Sequence, residues 1–300
     1  MIRPLRVGVL TLTTLSLAAT PALAAPMMRG TTTDDVIRGK GRADFIMALG
    51  GNDRISARGG DDKVYGGNGD DIVTGDNGND WITAQPGNDW AAGGAGNDKV
   101  DGGSGDDTLY GGEGDDSLAA NVGNDVLYGE AGNDLLGGND GDDRLFGGEG
   151  SDKHIGGAGN DWIDAGPGDD GAVQGGPGND VLIDGEGHDW LVKGDEGNDT
   201  VFLGPGADKV FTEQGDDVIY VLPDGFVDKI RCDDGTQDNG VADRVVFVGW
   251  RDPLDVVDPF GSCEVVEVVE VLPANWPYGS VSLPDGRVLA QRTAGGARRP

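Results

Sequence analysis

Histidine, cysteine and basic side chains are scarce in this chain, and each scarcity closes a class of function. The 300 residues hold two histidines, His154 and His188, and two cysteines, Cys232 and Cys263. The sequence contains no His-Glu-x-x-His run and no Gly-x-Ser-x-Gly elbow, so neither a zinc-protease helix nor a hydrolase nucleophile turn is expected. Lys and Arg number 22 against 54 Asp and Glu, a formal net charge of -32. A phosphate backbone needs clustered cations, and an anionic membrane surface repels acids, so neither is expected as a partner. Beyond residue 24 no run approaches the ~18 apolar residues of a membrane span. What is abundant is Gly, with 57 residues, joined by 14 Pro. These are the two worst helix formers, so long helices are not expected. A chain this acidic either stays expanded by self-repulsion or holds cations.

The N-terminus reads as a secretory signal over residues 1–24. Arg3 and Arg6 precede an apolar or hydroxylic stretch over 7–20, and Ala22-Leu23-Ala24 is a small-x-small cleavage site. Removing the two arginines and no acid takes the charge from -32 to -34. An exported chain with an even cysteine count predicts one disulfide, Cys232–Cys263.

After a linker over 25–33, aspartate recurs every nine residues. The run is Asp35, Asp44, Asp53, Asp62, Asp71, Asp80, Asp89, Asp98, Asp107, Asp116, Asp125, Asp134, Asp143, Asp152, Asp161 and Asp170. It continues through Asp180, Asp189, Asp199, Asp208 and Asp217, with one extra residue before Asp180 and another before Asp199. From Asp53 to Asp217 the residue two before each Asp is Gly in all 19 repeats. The residue two after is usually aliphatic, as in Ile55, Val64, Leu109 and Leu127; Ala91, His154 and Ala172 are exceptions. Full copies of Gly-Gly-x-Gly-x-Asp-x-aliphatic-x begin at Gly66, Gly93, Gly102, Gly111 and Gly175.

This nonapeptide resembles the RTX, or haemolysin-type, calcium-binding repeat, over residues 34–220. The resemblance implies an all-β parallel β-roll solenoid with calcium in its turns. The familiar members use an uncleaved C-terminal export signal; an N-terminal signal makes this chain similar instead to secreted repeat proteins of actinobacteria.

The spacing supports the same ion independently. In x-aliphatic-x the central side chain faces inward and its neighbours outward. Two repeats make one coil, so repeats n and n+2 stack. Stacked strands lie about 4.7–4.9 Å apart, which puts an ion midway at about 2.4 Å from each level. That suits calcium–oxygen bonds of roughly 2.3–2.6 Å better than the shorter, octahedral bonds of magnesium. Asp98 is expected to share an ion with Asp116, and Asp107 with Asp125. The candidate ligands are the nineteen aspartates from Asp53 to Asp217; roughly fifteen shared divalent ions would nearly cancel the charge. Asp35 and Asp44 have Thr33 and Arg42 where Gly is otherwise found, so their turns are expected to cap the roll without ions. The insertions and Gly171-Ala172 predict a local bulge near 170–199.

Past Tyr220 the period fails, although Asp228 and Asp243 echo it. Residues 244–249 and 264–271 read as strands, and Ser280–Gln291, with Pro284-Asp285-Gly286 inside, as a hairpin. The segment 221–300 is expected to be a disulfide-stapled β cap with a basic tail from Arg292, or else a binding module. His154 sits at an aliphatic position and is expected to be partly buried; His188 is expected on a turn. Trp81, Trp90, Trp162 and Trp190 follow their aspartates and are expected to point outward, covering the thin roll or meeting a partner. The expectation is a secreted, non-enzymatic calcium-binding protein, structural or adhesive at the cell exterior. The alternative is a calcium-dependent recognition module for a cell-surface glycan or protein.

Overall fold

An x-aliphatic-x stretch is too short to bury a face alone, so it forms a strand only by stacking on its copies. The computed structural model describes residues 27–232 and 243–249, then 251, 255–257, 263, 265–269, 272–273, 276–278, 281–282 and 288–289. The signal segment 1–24, the turn at 284–286 and the tail from Arg292 lie outside the described residues. Within them the chain is all-β, without a helix: two 13-stranded parallel sheets wound as a solenoid. Consecutive strands alternate between the sheets, as Lys99–Ser104 and Thr108–Glu113 do. One coil is 18 residues: Leu109 pairs with Leu127, and Val100 with Leu118.

The expected alternation holds along each strand. In Thr108–Glu113 the residues Leu109 and Gly111 are buried while Thr108, Tyr110 and Gly112 lie nearer solvent. Equivalent residues stack into one core between the sheets, running from Ile46 and Ile55 through Leu109, Leu118 and Leu127 to Ile230 and Phe247. It is a single file of aliphatic side chains per sheet, a thin core whose contacts are mostly to the levels above and below. His154 fills one aliphatic slot and is fully buried, not partly so. Its neighbours in the stack are Leu136 and Val173.

The inserted residues lengthen four successive levels to 19 residues, from Asp161–Asp180 to Asp189–Asp208. Strands there shorten to Trp162–Asp164 and Val181–Ile183, yet the register resumes. Residues 27–29, expected in a linker, form the first strand.

The sheets also continue past residue 220. Lys229–Arg231 and Val256–Val257 extend the first sheet, and Arg244–Val248 and Val265–Val269 the second. Cys232 and Cys263 are disulfide-bonded. Val281–Ser282 and Val288–Leu289 pair antiparallel, the predicted hairpin. Leu272, Trp276 and Val281 pack with Ile183, Phe202 and Val248 in a second apolar cluster. Those three partners alternate with inward-facing Leu182, Val201 and Phe247, so the C-terminal segment lies along the outer flank of the second sheet. Trp162 is covered there, while Trp81, Trp90 and Trp190 remain outside, at 49, 36 and 74 % exposure.

Candidate metal centres in the stacked turns

The Gly-x-Asp turns, that of Gly206 excepted, reverse the chain through left-handed backbone. Gly105, two before Asp107, has φ 121°, a conformation only Gly adopts without strain. A Cβ on Gly105 would also collide with the backbone of Gly87, one level away. The position four before the Asp is left-handed too, and nine non-glycine residues occupy it or its equivalent, among them Leu49, Gln85 and Glu130 (φ 76°).

The turn aspartates form two continuous ladders. The Asp98 N–H donates to Asp116 Oδ1 at 2.7 Å, and the Asp107 N–H to Asp125 Oδ1 at 2.6 Å. The predicted neighbours are therefore stacked directly. One ladder runs from Asp35 and Asp53 through Asp199 and Asp217 to Asp243. The other runs from Asp44 and Asp62 through Asp189 and Asp208 to Asp228 and Asp255. All nineteen predicted ligands are on these ladders, each at most 3 % exposed. Asp255 was not foreseen, because its spacing from Asp228 is 27 residues and its turn has no repeat glycines.

One oxygen of each carboxylate is thus occupied, and the other is not. Oδ2 of every aspartate from Asp53 to Asp217 in the series is buried and makes no hydrogen bond. Such an oxygen costs about 1–3 kcal/mol when left unpaired, and the cost rises when it is charged. The first glycine of the motif keeps space beside it. A Cβ on Gly66 would stand 2.5 Å from Asp71 Oδ2 and 2.7 Å from the carbonyl oxygen of Ala84, one level on. Carboxylate and carbonyl oxygens therefore converge on one small, dry cradle, a donor set of hard oxygens that suits calcium. No lysine or arginine neutralises these carboxylates among the described residues: the ion pairs there are Lys193 with Asp195 and Glu213, and Arg244 with Glu267.

Burial accordingly pushes these carboxyls up. Asp80, Asp107, Asp116 and Asp143 rise to about 7, and Asp170 and Asp199 to about 8, with burial first among the causes and neighbouring aspartates adding to it.

The two first turns hold their carboxylates differently from the rest. Asp35 Oδ2 accepts from the Thr31 N–H, and Asp44 Oδ2 from the Lys40 N–H, both at 2.6 Å. There Oδ2 is taken by the chain's own backbone, while Asp44 Oδ1 stays buried without a hydrogen-bond partner. A second, exposed ladder went unread in the sequence. The residue before each repeat aspartate stacks in the opposite sense, as when the Asp106 N–H donates to Asn88 Oδ1 at 3.0 Å and the Asn124 N–H to Asp106 Oδ1 at 2.9 Å. The signal was present, since that position is Asn or Asp in most repeats.

His154 is held neutral by burial, its pKa lowered to about 4. His188 lies exposed on a turn, where its Nδ1 accepts the Ala207 N–H.

A parallel β-roll with stacked, oxygen-lined turns is the class that this fold and site define. A model of the RTX calcium-binding nonapeptide repeat matches residues 29–64, 47–82, 83–118, 110–153, 146–171, 173–192 and 191–219. The chain belongs to that family, and its repeats are calcium-binding repeats. No curated protein matches the chain.

Proposed function

We propose that this chain is a secreted, non-enzymatic protein whose β-roll folds as calcium fills its stacked turns, and that it serves a structural or adhesive role at the cell exterior. The observation that carries this is the row of buried, unpartnered Oδ2 atoms from Asp53 to Asp217. A thin core and a formal charge of -32 leave the cation to supply much of the folding energy, as metals do in other small metal-dependent domains. Export through the N-terminal signal meets millimolar calcium, and extracellular modules bind at roughly 0.1–1 mM. The added strands at 229–269 and the Cys232–Cys263 bond are read as closing the roll against edge pairing.

A glycan-recognition reading has less to stand on. Tyr110, Tyr128 and Phe146 form a row on the outer face of the second sheet, but their rings stack on one another at 4.8 and 5.0 Å. Their faces are used within the row, which leaves edges for a partner.

The test is a calcium titration of chelated protein, followed by circular dichroism and hydrodynamic radius. A cooperative gain of β signal with compaction is expected. An unchanged spectrum and radius after chelation would overturn the proposal.

A further inference from the structure

One turn breaks the repeat chemically. Five before the turn aspartate the motif has a small residue, Gly in Gly66, Gly102 or Gly175 and Ala in Ala84 or Ala120. In the repeat of Asp189 that position is Asp184, so a third carboxylate enters its cradle; the two other departures from Gly or Ala between Asp53 and Asp217 are uncharged, Leu203 and Thr212. Asp184 is fully buried. One carboxylate oxygen each from Asp184, Asp189 and Asp208 lies within 4.8 Å of the other two.

The three carboxylates are each half satisfied. Asp189 Oδ1 accepts the Asp170 N–H, and Asp208 Oδ1 the Asp189 N–H. Asp184 Oδ1 accepts the Gly204 N–H at 2.7 Å and lies 2.8 Å from the Tyr278 hydroxyl. Oδ2 of all three has no hydrogen-bond partner. Three carboxylates in a place this dry repel one another strongly, and no lysine or arginine pairs with them among the described residues.

Tyr278 ties this cluster to the C-terminal segment, 94 residues further along the chain. Its hydroxyl also accepts the Gly185 N–H at 3.1 Å and lies 3.0 Å from the Phe202 carbonyl oxygen. Its ring packs edge-on to Trp276, which is buried in the flanking cluster. The position of the Asp184 carboxylate is thereby coupled to the seating of Leu272, Trp276, Tyr278 and Val281 on the roll.

We propose that Asp184 turns the stacked cradle of Asp189 and Asp208 into a three-carboxylate calcium site, tighter than the ordinary turns, whose ion fixes Asp184 and, through Tyr278, locks the C-terminal segment onto the flank of the second sheet. The inference rests on the calcium reading of the roll. Calcium accepts 6–8 oxygens in flexible geometry, and the number of charged ligands sets its affinity. Magnesium keeps several waters, and these side chains are at most 2 % exposed, which favours the ion that sheds its water.

The test is competition between the full-length protein and a chromophoric chelator over limiting calcium, paired with limited proteolysis of the C-terminal segment at about one equivalent of calcium. Asp184→Gly restores the residue the motif uses at this position, so the variant is expected to fold. The wild type is expected to show one ion bound at least ten-fold tighter than the rest and early protection of the segment. Asp184→Gly is expected to lose that class alone and to need calcium at the level of the ordinary turns for protection. Tyr278→Phe keeps all three carboxylates and is expected to weaken the tight ion several-fold and delay protection. Equal affinities in wild type and Asp184→Gly, or tighter binding in the variant, would overturn the inference and make Asp184 a protonated plug. A wild type that binds no calcium would instead overturn the reading of the whole roll.

Discussion

Replacing Asp107 with Ala tests the ladder at its centre, and replacing Asp44 with Ala tests it at its start. Asp107 Oδ1 accepts the Asp89 N–H at 2.8 Å, in a position where both residues are buried. Asp107→Ala strands that N–H, at a cost of about 1–3 kcal/mol. It also takes Oδ2 from the cradles shared with Asp89 and with Asp125. Two ions lose a charged ligand, and the roll is cut mid-length, where each level depends on its neighbours. Asp44 stands differently. Its Oδ2 is occupied by the Lys40 N–H at 2.6 Å, in a part-buried setting. Its own N–H still reaches Asp62 Oδ1 at 2.6 Å when the side chain is gone. Asp44→Ala therefore removes one partly exposed hydrogen bond, worth about 0.5–1.5 kcal/mol, and little calcium. Calcium bound per chain, counted by equilibrium dialysis at sub-millimolar free calcium, is expected to fall by about two ions in Asp107→Ala. Asp44→Ala is expected to match the wild type. At saturating calcium the thermal midpoint of Asp107→Ala is expected to fall by roughly 2–12 °C, from about 2–4 °C per kcal/mol for a chain of this size. Equal calcium loss in the two variants would refute the assignment of calcium to the middle of the roll rather than to its start.

Two further outcomes follow from the same geometry. Burial raises the turn carboxyls of the cation-free roll above the ordinary 3.8, to about 7 at Asp80 and Asp107. A raised folded-state value stabilises the cation-free roll below about pH 4, and that stability is lost as pH rises through about 7; even one unit per aspartate amounts to ~1.4 kcal/mol each. Chelated protein is therefore expected to gain β signal when acidified from pH 7.5 to 4, and equal spectra at both values would contradict the burial argument. Glu130 holds φ 76° in a turn position where its neighbouring coils have Gly112 and Gly148; Glu130→Gly relieves about 1–2 kcal/mol of left-handed strain against roughly 0.5–1 kcal/mol of added chain entropy. A thermal midpoint one to a few degrees higher is expected, and a lower midpoint would show that the glutamate side chain holds the turn.

The period in the sequence already determined the solenoid, the inward aliphatic file and the stacking of Asp98 on Asp116. Each of these depends on a residue and its copies one level away, and a nine-residue register brings such copies together whatever the rest of the chain does. The Cys232–Cys263 bond was legible for a simpler reason, as the chain offers one pairing. Tertiary structure decided what has no period. Asp255 joins the ladder across a 27-residue gap, and the final segment settles along the flank, where Phe202 and Val248 leave an apolar surface for Trp276. In the sequence Asp184 is one more acid in an acidic chain. It becomes part of a site only because coiling sets it against Asp208 and packing brings Tyr278 to its other oxygen.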